Sequence, residues 1–317
     1  MSLAERASTT AYRAGWLAVR LIPEPMARWI FTQIADYLWR RRGKSVRQLQ
    51  ANLRRVRPDA GDPELSQLTR AGMRSYLRYW MEAFRLPTMS TERITSGMTV
   101  VGEEQTALSH IKAGRGVIFA LPHSGNVDQA AAWIMTRGFG QISVIAERLK
   151  PEAVFRQFVA YRESLGMEVV PHMGGPSPFG VMAQRLRAGR LVCLVADRDL
   201  SAAGVEVEFF GEPARIGAGP AALAARTGAA LMPVVLWFTE DSWRGEIYPE
   251  IPVPAEGNQA EKVAAMSQQL AAAWQAGIAG HPEDWHMMQK VFVADLDASR
   301  LPQPDAAPER DKRSDIA

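Results

Sequence analysis

The 317-residue sequence holds one cysteine, Cys193, so no disulfide can form within the chain and a zinc site built on thiolates is excluded. Nothing in it requires an oxidising compartment. Long apolar runs are also missing: the most apolar stretch, 216–239, is broken by Pro220, Arg226 and Pro233 and reads as a helix followed by a strand. Glu5 stands near the start, and no early apolar block of signal-peptide type follows it, so the chain is expected on the cytoplasmic side. Several catalytic signatures are absent. There is no G-x-S-x-G turn for a nucleophilic serine and no G-x-x-x-x-G-K-[ST] phosphate loop, and Gly174-Gly175-Pro176 is not a dinucleotide fingerprint. His281 and His286 stand five apart without a ligand set at metal-binding spacing, so no metal is expected. The sequence has no internal repeat.

Lysine is scarce as well, with 6 Lys against 31 Arg. Arginine favours bidentate contact with phosphate over a simple point charge. The net charge of +3 is uneven: residues 1–60 carry 12 Lys/Arg and 4 Asp/Glu, or +8, and the rest sums to −5. That basic segment implies an anionic partner, such as lipid headgroups, nucleic acid or a phosphorylated ligand. No nucleic-acid recognition motif accompanies it, and none is expected to bind. Ile30, Ile34, Tyr37 and Leu38 recur at helical spacing, and the run ends in Arg40-Arg41-Arg42-Gly43-Lys44. Tyr12, Trp16, Trp29 and Trp39 add aromatic rings. Rings at headgroup level and cations against anionic lipid are the properties of an interfacial segment, so 1–60 is read as amphipathic, membrane-facing helices.

A helix over 64–86 follows, carrying Tyr76, Tyr79, Trp80 and Phe84 and stopped by Pro87. From about residue 97, short apolar runs alternate with helical patterns, as a βαβ arrangement requires. Strands are expected at 116–121, 142–146, from 169, at 191–195, 205–210 and 231–238, and near a sheet edge at 243–251. Helices fall at 128–137, 151–165, 179–188, 218–227 and around Val263 to Trp274. The fold class is α/β, with a central, mostly parallel sheet flanked by helices over 61–298. Residues 299–317 are Pro-, Asp- and Arg-rich and read as a disordered tail.

Ligands of open α/β sheets gather outside the carboxyl ends of the strands. Three successive strands end in charged residues there: His123 to Asp128, Glu147-Arg148, and Asp197-Arg198-Asp199. The His123-x4-Asp128 spacing allows the turn to fold the carboxylate back onto one imidazole nitrogen, leaving the other as a general base. A hydroxyl deprotonated by that base can attack an activated acyl carbonyl. Backbone N–H groups at the helix start, arginines, or both would stabilise the oxyanion. Cys193 lies mid-strand among apolar residues and is read as inert packing.

The series Leu121-Pro122-His123-Ser124-Gly125-Asn126-Val127-Asp128, Asp197-Arg198-Asp199, Phe209-Phe210-Gly211-Glu212-Pro213-Ala214, Gly219-Pro220-Ala221 through Ala229, and His281-Pro282-Glu283-Asp284-Trp285 resembles the bacterial lipid A lauroyl/myristoyl acyltransferase family. Ala146 to Pro151 and Tyr161 to Gly166 point to its actinobacterial branch, which acylates phosphatidylinositol mannosides. The resemblance spans roughly residues 10–295. It implies a glycerolipid acyltransferase-like fold and a peripheral enzyme on the cytoplasmic face of the cell membrane. The enzyme would move a palmitoyl-type chain from acyl-CoA to a mannose hydroxyl, with no cofactor. His123 would be the base and Asp128 its orienting partner, with Glu147 and Asp197 as further acids of the site; the branch often carries Glu at the last position. Arg162 would hold phosphate or the thioester region, with Arg198 as a further substrate contact. The backbone of Ala203, Gly204, Val205 and Glu206 would line the acyl-CoA groove, where glycine allows close approach. A lipid A-type or other glycolipid acceptor with a carrier-protein donor is the alternative reading, and a non-catalytic lipid-binding protein a third.

Overall fold

A computed structural model of the protein describes residues 17–146, 152–171, 177–199 and 203–297. Tyr12, Trp16, Glu147, Arg148 and the tail from residue 299 lie outside the described residues. Three helices lead: α1 (Glu24–Arg41), α2 (Lys44–Val56) and α3 (Asp62–Arg85). Pro25 and Pro63 fall in first turns, where the missing N–H removes no helical bond. Val46, Leu49 and Leu53 of α2 pack with Leu65, Met73 and Leu77 of α3 and Ala35 of α1 into one core. Helix α3 therefore shares a core with the segment before it. No described helix is long and apolar enough to cross a membrane.

After the short helix α4 (Thr91–Ser96), the chain alternates strands and helices. The strands are β1 (Met98–Gly102), β2 (Val117–Leu121), β3 (Ser143–Ala146), β4 (Glu168–Pro171) and β5 (Leu191–Val195), then β6 (Val205–Phe209), β7 (Glu212–Ile216), β8 (Ala230–Phe238) and β9 (Trp243–Ile247). The helices between them are α5 (Glu104–Lys112), α6 (Val127–Met135), α7 (Glu152–Ser164), α8 (Pro178–Arg187) and α9 (Gly219–Thr227), and α10 (Gln259–Gly280) closes the domain. Seven strands form one sheet in the order β1-β9-β8-β2-β5-β3-β4, and only the β8–β9 pair is antiparallel. The expected α/β class, with a mostly parallel sheet between helices, is the fold observed.

Each residue of central β2 is buried, as a strand covered on both faces must be. Ile118 and Ala120 join the core under α8, α9 and α10, whereas Val117, Phe119 and Leu121 join the core under α5 and α6. The sequence reading left out β1, α4, α5 and β7, and two of the strands it did mark differ. The segment at 243 ends at Ile247 and is covered by β1, which takes the sheet edge. The segment after 205 is half of a two-stranded antiparallel hairpin outside the main sheet. Its turn places both Phe210 (φ 51°) and Gly211 (φ 75°) in the left-handed region. Such turns favour Asn-Gly. Here tertiary contacts hold the phenylalanine: its N–H donates to Gln275 Oε1 at 2.7 Å, and its ring lies 6.1 Å from that of Trp285.

Candidate active site

Strands β2 and β5 are parallel neighbours with Leu121 paired to Val195, so the residues just beyond each strand meet. These are His123 and Asp197. Asp197 is fully buried, and its Oδ1 lies 2.5 Å from His123 Nδ1. Its Oδ2 accepts the His123 backbone N–H and the Trp285 indole N–H, each at 2.9 Å. Burial works against the charge on Asp197, but the imidazole and these donors outweigh it and hold the carboxyl below its ordinary range. An ionised carboxylate can only accept. The neutral His123 ring must therefore carry its proton on Nδ1 and keep the lone pair on Nε2. About a third of this side chain is exposed, 35%, and it lines a cleft.

The turn holding His123 is tightly specified. Gly125 has φ 55°, and a Cβ there would lie 2.7 Å from the backbone carbon of Leu236. Asn126 caps α6 by accepting the Gln129 N–H at 2.9 Å, and its amide donates to buried Glu82 at 2.9 Å. The segment 284–286 fastens the turn from the other side. Gly125 N–H donates to the Asp284 carbonyl (3.0 Å), and His286 N–H donates to the His123 carbonyl (2.7 Å).

The expected His123–Asp128 pair does not form. Asp128 is 2% exposed and accepts from Tyr79 Oη and Arg162 Nε, both at 2.8 Å. The reason is positional: Asp197 already occupies Nδ1, and Asp128, in the first turn of α6, points to α3 and α7. Burial, then the Asp128 charge, push the Tyr79 hydroxyl above its ordinary pKa, so it remains a donor. Arg162→Ala leaves Asp128 buried without its cation. The expected loss is about 3–5 kcal/mol of unfolding free energy in urea titration, and a loss under about 1 kcal/mol contradicts this pairing.

The turn's backbone donors are also committed, since Ser124 N–H donates to the Pro122 carbonyl (2.8 Å) and Gly125 N–H to Asp284. At the start of α6, where donors to an oxyanion were expected, the Gln129 N–H is taken up by Asn126 Oδ1 and the Ala130 N–H by the Asn126 carbonyl. Among the described residues, the arginines that line the cleft are Arg162 and Arg198. Of the proposed groove residues, Ala203 lines the cleft. Gly204 is used differently: its N–H donates to Asp199 Oδ2 at 2.9 Å, and a Cβ would lie 2.5 Å from Asp199 Cγ and from the Ile216 carbonyl oxygen. Its missing side chain thus admits protein atoms rather than a ligand. Val205 is half-buried against the core and Glu206 is exposed on β6.

The cleft encloses about 820 Å³. One wall is the thin start of α9, with Ala218, Gly219 and Ala222. A second, apolar cavity of about 80 Å³ lies beneath α6, where Ala130 and Ala131 leave space over Phe119 and Cys193. The two cavities share Val127, Ile145, Arg162 and Val195 in their walls. Burial pushes the Cys193 thiol up to about 12, which keeps it protonated and unreactive at neutral pH. Among the described residues, no group of His, Cys, Asp and Glu could hold a metal ion.

A buried polar chain that spacing alone did not indicate runs beside His123. Ser75 Oγ donates to Asp284 Oδ1 (2.5 Å) and lies 2.8 Å from His286 Nε2, while Asp284 Oδ2 accepts the Phe238 N–H (2.8 Å). Burial pushes Asp284 up to about 6, and burial followed by the His123 charge pushes His286 down to about 3. The two groups act in opposite senses. As pH falls from about 6.5 toward 3, the unfolded chain takes a proton that native His286 refuses, so its stabilisation is full above 6.5 and fades with acid. Native Asp284 holds its proton more tightly than the unfolded chain does, so its contribution is full below about 4 and lost as pH rises through 6. His286→Gln removes only the first effect, so its melting temperature should fall less between pH 7 and pH 5 than that of the unsubstituted protein. An equal fall contradicts the assignment.

The profile of a family described as bacterial lipid A biosynthesis acyltransferase matches residues 2–293. The phosphatidylinositol mannoside acyltransferase of Mycolicibacterium smegmatis is 47% identical over 292 residues, covering 91% of this chain and 92% of that protein. Its namesake in Mycobacterium tuberculosis is 45% identical over 306 residues, covering 95% and 94%. Among solved structures, a 1-acyl-sn-glycerophosphate acyltransferase of Thermotoga maritima aligns with a TM-score of 0.35 and 14% identity over 65% of this chain and 86% of that one.

Proposed function

From the premise that the chain belongs to the bacterial lipid A biosynthesis acyltransferase family and is an acyltransferase, we propose that it transfers a long acyl chain, palmitoyl, from acyl-CoA to a mannose hydroxyl of a phosphatidylinositol mannoside. The observation that carries this reading is a histidine held by a buried carboxylate in a cleft that shares wall residues with a neighbouring, largely apolar cavity. Nε2 of His123 takes the hydroxyl proton as the oxygen attacks the thioester carbonyl. The tetrahedral intermediate collapses with cleavage of the C–S bond, and the imidazolium returns the proton to the departing thiolate. Arg162 and Arg198 place positive charge beside the developing oxyanion and the donor's phosphates. The thioester is already activated, so the step needs one base and no cofactor. Shared identity of 45–47% with enzymes named for phosphatidylinositol mannoside supports this acceptor over other glycolipids.

The enzyme works at the cytoplasmic face of the membrane, resting on α1. Met26, Trp29 (64%) and Tyr37 (57%) are exposed on it, Leu21 (76%) is exposed just before it, and exposed Arg40, Arg41, Arg42 and Lys44 follow. Rings and cations presented together suit an anionic bilayer surface. Trp29→Glu combined with Leu21→Glu should weaken binding to anionic vesicles about tenfold or more in a sedimentation assay, with the melting temperature kept. Unchanged partition would contradict this placement. The reaction itself is tested by incubating pure protein with palmitoyl-CoA and a mixed glycolipid extract and weighing the products. A palmitoyl mass added to phosphatidylinositol mannoside is expected. Addition to another glycolipid would change the acceptor, and free palmitate alone would make the protein a thioesterase.

A further inference from the structure

The cleft has two chemically different sides. Phe179, Leu194 and Leu223 give part of the cleft an aliphatic and aromatic lining, and the inner cavity on the other face of the sheet is largely apolar as well. The side formed by α3 and the segment 284–286 is built from Tyr76, Tyr79, Trp80 and His286. Their rings meet at edges: Tyr76 stands 6.2 Å from Trp80 (85°) and 5.7 Å from His286 (71°), and Tyr79 stands 5.2 Å from Trp80 (66°). Two polar atoms in this group are uncommitted. Among the described residues, neither Nδ1 of His286 nor Oη of Tyr76 has a hydrogen-bond partner, and neither atom is sealed from solvent. His286 is nevertheless 91% buried, its exposed remainder being 9%. Both atoms are therefore open to a hydrogen bond from water or from a ligand in the cleft.

The hydrogen-bond character of that open atom follows from the chain behind it. Asp284, when ionised, only accepts, so Ser75 must spend its single hydroxyl proton on it and can only accept from His286 Nε2. The neutral imidazole then has its proton on Nε2 and a bare lone pair on Nδ1. Burial keeps the ring in this neutral form at working pH. The cleft therefore offers an acceptor, framed by aromatic faces, on a backbone segment bonded directly to that of His123.

Aromatic walls with a few placed polar atoms suit a ligand that has an apolar face and hydroxyl donors at its edge, which describes a pyranose ring. An alkyl chain would leave Nδ1 and Oη unpaired and has better surroundings across the cleft. We propose that Tyr76, Trp80 and His286 form the seat of the acceptor's sugar ring, its C–H face against the aromatic rings and one of its hydroxyls donating to His286 Nδ1. This deepens the functional reading above and rests on it. His286 binds and orients the acceptor, and His123 remains the base. Ser75 and Asp284 are positioning residues, acting by fixing the tautomer.

Asparagine and glutamine separate the two ring nitrogens, since Asn reaches about where Nδ1 sits and Gln about where Nε2 sits. In steady-state kinetics with palmitoyl-CoA and phosphatidylinositol mannoside, His286→Gln should raise the acceptor KM about tenfold, as the loss of one hydrogen bond to a buried acceptor does. The KM for acyl-CoA should move less than twofold. His286→Asn should retain more acceptor affinity than His286→Gln, and Tyr76→Phe, which keeps the ring, should raise the acceptor KM several-fold. The proposal is overturned if both KM values rise together, if neither moves, or if Asn is the worse replacement. Should the unsubstituted protein transfer nothing to the lipid, the functional reading fails. The seat is then judged by saturation transfer from protein to methyl α-mannoside: a signal lost in Tyr76→Phe and His286→Gln upholds it, and no signal in the unsubstituted protein overturns it.

Discussion

Replacing His123 with alanine should lower kcat for acyl transfer by about 10³–10⁴-fold, the upper part of what a positioned general base contributes. The fold should survive, because the turn is held by contacts that do not involve the ring. The backbone N–H of residue 123 still donates to Asp197, its carbonyl still accepts from His286, and Gly125 still reaches Asp284. Circular dichroism and the melting profile check that point, and product formation checks the rate. If His123→Ala turns over at more than about a tenth of the normal rate in a folded protein, another group is the base.

The second large effect is expected from Asp197→Asn. The amide has nearly the size and shape of the carboxylate, so Trp285 and the His123 backbone keep an oxygen to donate to. Its NH2 group, however, would face His123 Nδ1 and favour the opposite tautomer, with the lone pair turned inward and a proton on Nε2. The expected fall in kcat is about 10²–10⁴-fold, as when a triad carboxylate becomes an amide, with KM for acyl-CoA nearly unchanged. A rate within a few-fold of normal would mean that the carboxylate does not set the proton's place.

These two residues show what could be read in advance. The runs at Val117, Leu191 and Leu231 are continuous and apolar because their strands lie inside the sheet, and the ends of the first two marked the site. The choice of partner for His123 was not legible. Asp128 is five residues away and Asp197 is 74, so local spacing favoured the wrong acid. Strand order decided the matter: β2 and β5 are adjacent, and sequence patterns do not reveal which parallel strands are neighbours. The hairpin at 205–216 was half seen for a related reason, since Phe210 is an improbable residue for its turn until Gln275 and Trp285 are in place. Ser75, Asp284 and His286 come from α3 and the segment after α10, and only packing brings them together. Glu147 lies outside the described residues, and its part in the site rests on the resemblance alone.

The 15N shifts of the His123 ring, recorded in protein labelled at histidine and assigned against His123→Ala, test the mechanism at its root. Under conditions where transfer proceeds and the ring is neutral, Nδ1 should resonate as a protonated nitrogen and Nε2 as a bare one, with the pattern reversed in Asp197→Asn. A proton resident on Nε2 in the active, unsubstituted enzyme would mean that this nitrogen cannot accept one from a sugar, and the account would be wrong.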